Sequence, residues 1–205
     1  MNLKFPVIKP MENLVVQLRT ILEPLTLTEL FARPQPLEVE LGCGDASFLV
    51  EYARRNPGTN FIGVERLLGR IAKLDRKGRR AGLTNLRGVR IESAYFLQRL
   101  LPPHAARALH IYFPDPWPKK KHRRHRLINE QFPALASNAL TPDGTVFLRT
   151  DDADYFQQMN DVFSAAKEFE TVETPVELAE IATDFERDFN SQGIPTRRTA
   201  FRLRA

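Results

Sequence analysis

Leu37-Glu38-Val39-Glu40-Leu41-Gly42-Cys43-Gly44-Asp45 decides how the chain is read. Apolar and acidic residues alternate through the first five positions with the period of a strand. Two glycines then make a tight turn, and Asp45 stands as a helix N-cap ahead of Phe48, Leu49, Tyr52 and Ala53. Strand, glycine turn and helix in this order open an α/β unit, and the alternation continues downstream. Residues 60–64 read as a second strand ending at Glu65, and a helix is predicted over 67–81 with Gly82 placed to end it. Further strands are predicted over 86–91, 108–113 and 145–149. A helix over 127–138 is closed by the Thr141-Pro142-Asp143-Gly144 turn. Asp151 or Asp152 is placed to cap a helix reaching residue 166. A strand over 169–173, a short helix over 181–190 and a last strand over 199–203 follow.

Strands alternating with helices imply a parallel sheet covered on both faces, with ligands beyond the carboxyl ends of the strands. Those ends carry Glu40, Gly42 and Gly44, then Glu65, Glu92, Asp115 and Asp151. Residues 1–36 hold five prolines and a predicted short helix over 12–22, where Leu14, Leu18, Ile21 and Leu22 share a face. They read as an N-terminal extension, and 37–205 as a single domain.

With 205 residues the chain is long enough to build a core without disulfides or metal. No apolar run approaches a membrane span and the N-terminus lacks a secretory pattern, so a soluble protein of the cytoplasm is expected. One cysteine, Cys43, excludes an internal disulfide and a cysteine-built zinc site. The net charge of +5 is modest but strongly sorted. Residues 66–90 hold nine Lys/Arg against one acid, Asp75, and residues 119–126 hold six against none, so the rest of the chain is net negative. Sorting of this kind suits a face that meets a polyanion, nucleic acid first.

Glycine turns after a first strand serve dinucleotides and other nucleoside cofactors alike. A dinucleotide fingerprint needs a third Gly or Ala three residues after Gly44, and the chain has Ser47 there. Glu40 and Asp45 also flank the turn, and two carboxylates repel a pyrophosphate. The loop favours a nucleoside ligand without phosphate, and S-adenosyl-L-methionine is one. Its positive end suits a carboxylate at Glu40 or Asp45, and Gly42 and Gly44 let backbone approach it closely. Its ribose hydroxyls suit Glu65. Its adenine amino group suits Glu92, which reads equally as an N-cap or a surface acid.

The second informative stretch is Ile111-Tyr112-Phe113-Pro114-Asp115-Pro116-Trp117-Pro118-Lys119-Lys120-Lys121. Prolines bias Phe113, Asp115 and Trp117 toward extended, stiff backbone, which aims side chains. Read blandly, this is a proline-rich turn with a solvated acid and a solvated basic run. Placed directly after a buried strand, it reads as chemistry beside a polyanion grip. If the acceptor is a guanine N7, its lone pair is already free. Asp115 then holds the base through its N–H edge and favours the charge that develops on the ring. Lys119, nearest to Asp115, is the residue for the target nucleotide, while Lys120, Lys121, Arg123, Arg124 and Arg126 suit backbone phosphates. Trp117 either stacks on a base or anchors the loop. His122 and His125 have helical spacing for a metal, but the surrounding cations oppose one, so no metal is expected. A run so dense in like charge is expected to be mobile until phosphates arrive.

Five motifs together resemble the bacterial tRNA (guanine-N7-)-methyltransferase family. They are Glu40-x-Gly42-x-Gly44, Gly63-Val64-Glu65, the stretch from Phe113 to Lys119 with its basic run, Asp151, and Thr183-x-Phe185-Glu186, in consistent order over about 37–190. The resemblance implies a seven-stranded, Rossmann-like α/β methyltransferase fold with helices on both faces of a mostly parallel sheet. It implies transfer of a methyl group from S-adenosyl-L-methionine to make 7-methylguanosine in the variable loop of tRNA. It places cofactor contacts at Glu40, Glu65, Glu92 and Asp115, with Asp115 also catalytic. Substrate contacts fall at Lys119, Asp151, Thr183, Asp184, Phe185 and Glu186. The chain departs from the family with Asp45-Ala46 after the glycine loop, with Glu92 in place of a shorter Asp or Asn, and with Asp184 where a basic residue is common. Monomer and homodimer both remain open. A non-catalytic RNA-binding module with this fold is the alternative, opposed by the intact acids at Glu40, Glu65 and Asp115. A methyltransferase acting on an amino nitrogen of DNA or protein is a third reading, but Pro116-Trp117-Pro118 is not its usual company.

Overall fold

Alternation along β1 (Leu37–Leu41) sorts its side chains between two cores. Leu37, Val39 and Leu41 enter one apolar cluster, which leaves Glu38 and Glu40 on the opposite face of the sheet. The computed structural model describes residues 13–204. Within it, α1 (Leu27–Leu30) precedes β1, and α2 (Ser47–Arg55), β2 (Asn60–Val64), α3 (Leu68–Arg80) and β3 (Leu86–Val89) follow. Next come α4 (Ser93–Tyr95), continued by a π-helical turn over Phe96–Leu100, and β4 (Ala106–Tyr112). A 3-10 turn over Lys120–His125 leads to α5 (Phe132–Ala139), β5 (Leu140–Thr150), α6 (Ala153–Ala165), β6 (Phe169–Val172), α7 (Val176–Ala179), α8 (Asp184–Ser191) and β7 (Arg197–Leu203).

The seven strands form one sheet in the order β3-β2-β1-β4-β5-β7-β6. The pairs from β3 through β5 are parallel, and β7 is antiparallel to both β5 and β6. Side chains of α2, α3 and α7 pack in the cluster on one face, and those of α1, α5, α6 and the π turn in the cluster on the other. The predicted α/β fold with both faces covered is the one observed. Gly63 of β2 pairs with Glu40 and lets two helices close on the sheet. A Cβ there would lie 2.6 Å from Leu74 and 2.8 Å from Leu49.

The segment before α1 differs from expectation. Glu12 lies outside the described residues, and residues 13–22 form no helix. Leu14 and Val16 instead pair with the edge of β3: Gly88 N–H donates to the Leu14 carbonyl (2.9 Å) and Val16 N–H to the Gly88 carbonyl (2.8 Å). Asp75 accepts from Leu14 N–H, and the Leu14 side chain fills the space that Gly78 leaves open on α3. The predicted apolar face is split, since Leu14 is buried while Leu22 is 78% exposed.

Other boundaries moved for identifiable reasons. The helix expected over 127–138 starts at Phe132, with Pro133 in its first turn, where a missing N–H is harmless. In β5, Leu140 pairs with Ala106 and Thr145 with Ala108. The predicted Thr141-Pro142-Asp143-Gly144 turn is therefore looped out within the strand. Asp45 is not the N-cap of α2; Ala46 is, in the left-handed region with φ 59°. Among the described residues no helix is long and apolar enough to cross a membrane.

Candidate active site at the strand ends

The turn after β1 is tied to the end of β2. Gly42 N–H and Cys43 N–H both donate to the Val64 carbonyl, at 2.8 and 2.9 Å. Gly42 (φ 77°) and Gly44 (φ 55°) adopt left-handed backbone, which glycine takes without steric cost. Glu65 is buried. One of its oxygens accepts from Gly44 N–H (3.2 Å) and the other from Leu67 N–H (2.8 Å), so it joins the turn to the start of α3. Each carboxylate oxygen keeps a further lone pair for a ligand. Glu92 is exposed and caps α4, accepting from Ala94 and Tyr95 N–H at 2.9 and 2.8 Å. Asp45 borders the site but already has partners, lying within hydrogen-bond distance of Ser47 N–H and Ser47 Oγ and pairing with Lys77.

Glu40 is only 3% exposed, and its Oε2 is buried without a hydrogen-bond partner. Burial pushes its pKa up; Arg149 pulls it down, Asp45 and Glu65 push it up again, and the result is about 8. Compared with its ordinary value near 4.5, the carboxyl contributes stability that is full below about pH 4.5 and is lost as pH rises through about 8. Glu40→Gln removes this loss. Thermal unfolding of the ligand-free variant is expected to show a gain on the order of 5 kcal/mol over the parent at high pH, vanishing toward pH 4.5. A difference that does not change with pH would show that another group titrates.

Beyond β4, the chain turns sharply. Phe113 (φ 51°) and Trp117 (φ 44°) are left-handed rather than extended, a sterically unfavourable state for an aromatic residue that concentrates backbone strain on either side of Asp115. Asp115 itself is exposed. Arg126 holds the loop: its Nε donates to the Pro116 carbonyl (2.7 Å), and its two terminal nitrogens to Gln158 and Asp154 (2.7 Å each). Its guanidinium lies 4.6 Å from the Tyr155 ring centroid and the residue is 1% exposed. Arg126 is thus withdrawn from the expected phosphate contacts, because a buried cation must satisfy its donors internally. Arg123 pairs with Asp154 at 2.9 Å, while Lys119, Lys120, Lys121 and Arg124 stay exposed. The basic run winds into the 3-10 turn. Trp117 packs beside it, 5.2 Å from the His125 ring, and remains 36% exposed.

The start of α8 covers the glycine turn. Thr183 caps the helix by accepting from Glu186 N–H (3.0 Å), and Ser47 Oγ lies 3.0 Å from an Asp184 oxygen, so that Asp184 and Asp45 compete for its single proton. Phe185 and Phe189 stand 6.4 and 5.8 Å from Phe113, with the Arg70 guanidinium 5.8 Å from the Phe185 ring. Glu186 does not face the ligand space as expected. It is 1% exposed and bonded to Arg149 (2.9 Å) and Arg198. Arg149, which sequence reading missed, donates as well to the Ile181 and Leu178 carbonyls, and its guanidinium sits 4.2 Å from the Tyr112 ring. Behind Tyr112, its hydroxyl lies 2.8 Å from His110 Nδ1, and His110 Nε2 lies 2.8 Å from Glu38.

Two cavities result. One of about 290 Å³ is lined by Glu40, Gly42, Gly44, Asp151, Thr183 and Phe185 among others. The second, about 580 Å³, is lined by Gly42, Glu65, Ile91, Glu92 and Trp117 among others. Asp115, Phe113, Tyr112 and Arg70 border both. Of the residues expected to hold cofactor or the target nucleotide, Lys119 and Glu186 line neither.

A family profile described as a putative methyltransferase matches residues 34–199. The tRNA (guanine-N(7)-)-methyltransferase of Thermotoga maritima is 35% identical over 175 residues, covering 84% of this chain and 56% of that protein. The protein of the same name from Syntrophotalea carbinolica is 32% identical over 160 residues, covering 78% and 68%. The chain thus spans roughly half to two thirds of the length of such relatives. Among solved structures, the 16S rRNA methyltransferase KamB superposes with a TM-score of 0.64 at 14% identity, covering 87% of this chain and 93% of that one. At that identity the likeness concerns the fold.

Proposed function

Because the chain belongs to the tRNA (guanine-N7-)-methyltransferase family, we propose that it transfers a methyl group from S-adenosyl-L-methionine to N7 of a guanosine in the variable loop of tRNA. The observation that carries this reading is the position of Asp115 on the border of both cavities, one lined by Glu65 and Glu92 and the other by Asp151 and Thr183. A cofactor and a base can each occupy one space and meet there.

The residues present fit the cofactor. Glu40 offers a buried carboxyl oxygen with no partner, which a cationic ligand would hold ionised, and left-handed Gly42 leaves its backbone exposed at the site. Glu65 and Glu92 retain lone pairs for the ribose hydroxyls and the adenine amino group. Bound S-adenosyl-L-methionine supplies an electrophilic methyl group on a cationic sulfur. Guanine N7 carries a free lone pair, so no group of this chain has to remove a proton before attack, and the chain's contribution is alignment. Asp115 accepts from the N–H edge of the base and stabilises the positive charge that develops on its ring. Asp151, Thr183, Asp184 and Phe185 shape the base's space, and Lys119 reaches a flanking phosphate or sugar. Arg149 and Glu186 hold α8 in place rather than touch substrate. A cytoplasmic location accords with a tRNA substrate.

Incubation with methyl-labelled S-adenosyl-L-methionine and unmodified tRNA, followed by nucleoside analysis, is expected to yield labelled 7-methylguanosine. Binding of tRNA without transfer to any tRNA would favour the RNA-binding module instead.

A further inference from the structure

The basic residues of α3 are the feature that the site does not absorb. Arg66, Arg70, Lys73, Arg76 and Arg80 follow one another at i, i+3 or i+4 spacing and all are exposed. None makes an ion pair among the described residues, whereas Lys77 is paired with Asp45 and Arg79 with Asp75. Like charges at these spacings destabilise a helix. The buried face of α3, Ile71, Leu74 and Gly78, is already committed to the core, so packing gives the outer face no role. Arg90, at the end of β3, lies close by, its Nε donating to the Arg66 carbonyl (3.3 Å).

Sheet order places this face relative to the basic run. β2 and β4 flank β1, so the start of α3 and the loop after β4 stand on either side of the glycine turn. The cavity of about 580 Å³ lies between them, with Arg66 and Arg70 in one part of its lining and Trp117 and His125 in another. With Arg126 buried and Arg123 paired, the run after Asp115 keeps Lys119, Lys120, Lys121 and Arg124 free. The α3 face is therefore at least as large a reserve of unpaired charge.

We infer that the exposed face of α3 is a second phosphate-binding bank, so that the RNA strand on one side of the target nucleotide lies along Arg66 to Arg80 and the strand on the other side along Lys119 to Arg124. The inference rests on the tRNA reading above. Arg-rich surfaces take phosphates by charge-assisted, often bidentate hydrogen bonds, which fix register without reading sequence. Two banks across one opening hold the backbone on both sides of a single nucleotide while its base enters between them. An anionic membrane would answer the same charge, but Leu67 and Leu68 at one end are the only large exposed apolar residues on α3, too few for an interfacial anchor.

The test compares Lys73→Ala/Arg76→Ala/Arg80→Ala with Lys120→Ala/Lys121→Ala/Arg124→Ala. None of the first three residues lines either of the two cavities described above. The α3 variant is expected to keep its affinity for S-adenosyl-L-methionine and its kcat at saturating tRNA. Its tRNA affinity should fall, and the slope of log K against log salt should drop by about two. The run variant should show a drop of the same order, and the combined variant both. An unchanged slope in the α3 variant beside a reduced one in the run variant overturns the inference and leaves the tRNA reading intact. No tRNA binding or methylation by the parent protein overturns both. Binding of the parent to phosphatidylserine vesicles, lost in the α3 variant whose tRNA slope is unchanged, assigns the face to membrane and also overturns it.

Discussion

Asp115→Ala is expected to lower kcat for tRNA methylation by about a hundred- to a thousandfold, the range seen when one group aimed at developing charge is removed. Affinity for tRNA should stay nearly unchanged, because the proposed phosphate contacts lie on α3 and the 119–124 segment. The effect on folding should be small: Asp115 is exposed, and the loop is held by Arg126 through the Pro116 carbonyl, not by the acid. Asp115→Asn separates the two roles assigned to the residue. It keeps an acceptor for the base but removes the charge, so partial activity would apportion positioning and charge stabilisation. Single-turnover rates with saturating cofactor measure both variants, and unaltered turnover would remove Asp115 from the mechanism.

The second large effect is on stability. Arg149→Met leaves Glu186 buried without one of its two cations and deprives the Ile181 and Leu178 carbonyls of a donor. Breaking a buried ion pair by removing one partner costs about 3–5 kcal/mol. In a domain of this size that corresponds to a fall in Tm of roughly 10 °C. The loss should be partly relieved by adding Glu186→Gln, since the stranded charge is a large part of it. Thermal unfolding of both variants decides the matter: a Tm within about 2 °C of the parent would show that the pair holds nothing. Lowered kcat in the surviving folded fraction would trace to α8, whose Phe185 and Thr183 border the smaller cavity.

β1, β2 and their glycine turn were legible because local pattern and tertiary role agree there. Five alternating residues and two left-handed glycines leave little freedom. The residues that were misread are charged side chains with buried partners far along the chain. Arg126 looked like one more cation of the run, and only the approach of α6, carrying Asp154 and Gln158, shows it to be an anchor. Arg149 had a faint signal. It shares strand parity with Phe147, opposite Val146 and Leu148, and so faces the same side as Glu40, where buried acids call for a cation. Glu186 was expected among the substrate contacts, yet Arg149 and Arg198 draw its carboxylate into the interior. The predicted helix before α1 failed for the converse reason. Its helical spacing was real, but the β3 edge offers the backbone of Leu14 and Val16 better partners. The left-handed Phe113 and Trp117 were out of reach, since a proline restricts its neighbour without announcing which strained alternative the fold will impose.

The hydrogen bonds that Gly88 makes with Leu14 and Val16 have a colloidal consequence. A sheet's outermost strand presents a row of unpaired N–H and C=O groups that other chains can adopt as a template for aggregation. At one margin β6 is only four residues long, with Glu170 bound by Arg202, and charge guards it. At the other margin β3 is equally short, and there the chain covers the edge with its own segment around Val15. Shaving off that segment, for example by Leu14→Ala, which removes its buried anchor, is therefore expected to expose the β3 edge and promote self-association.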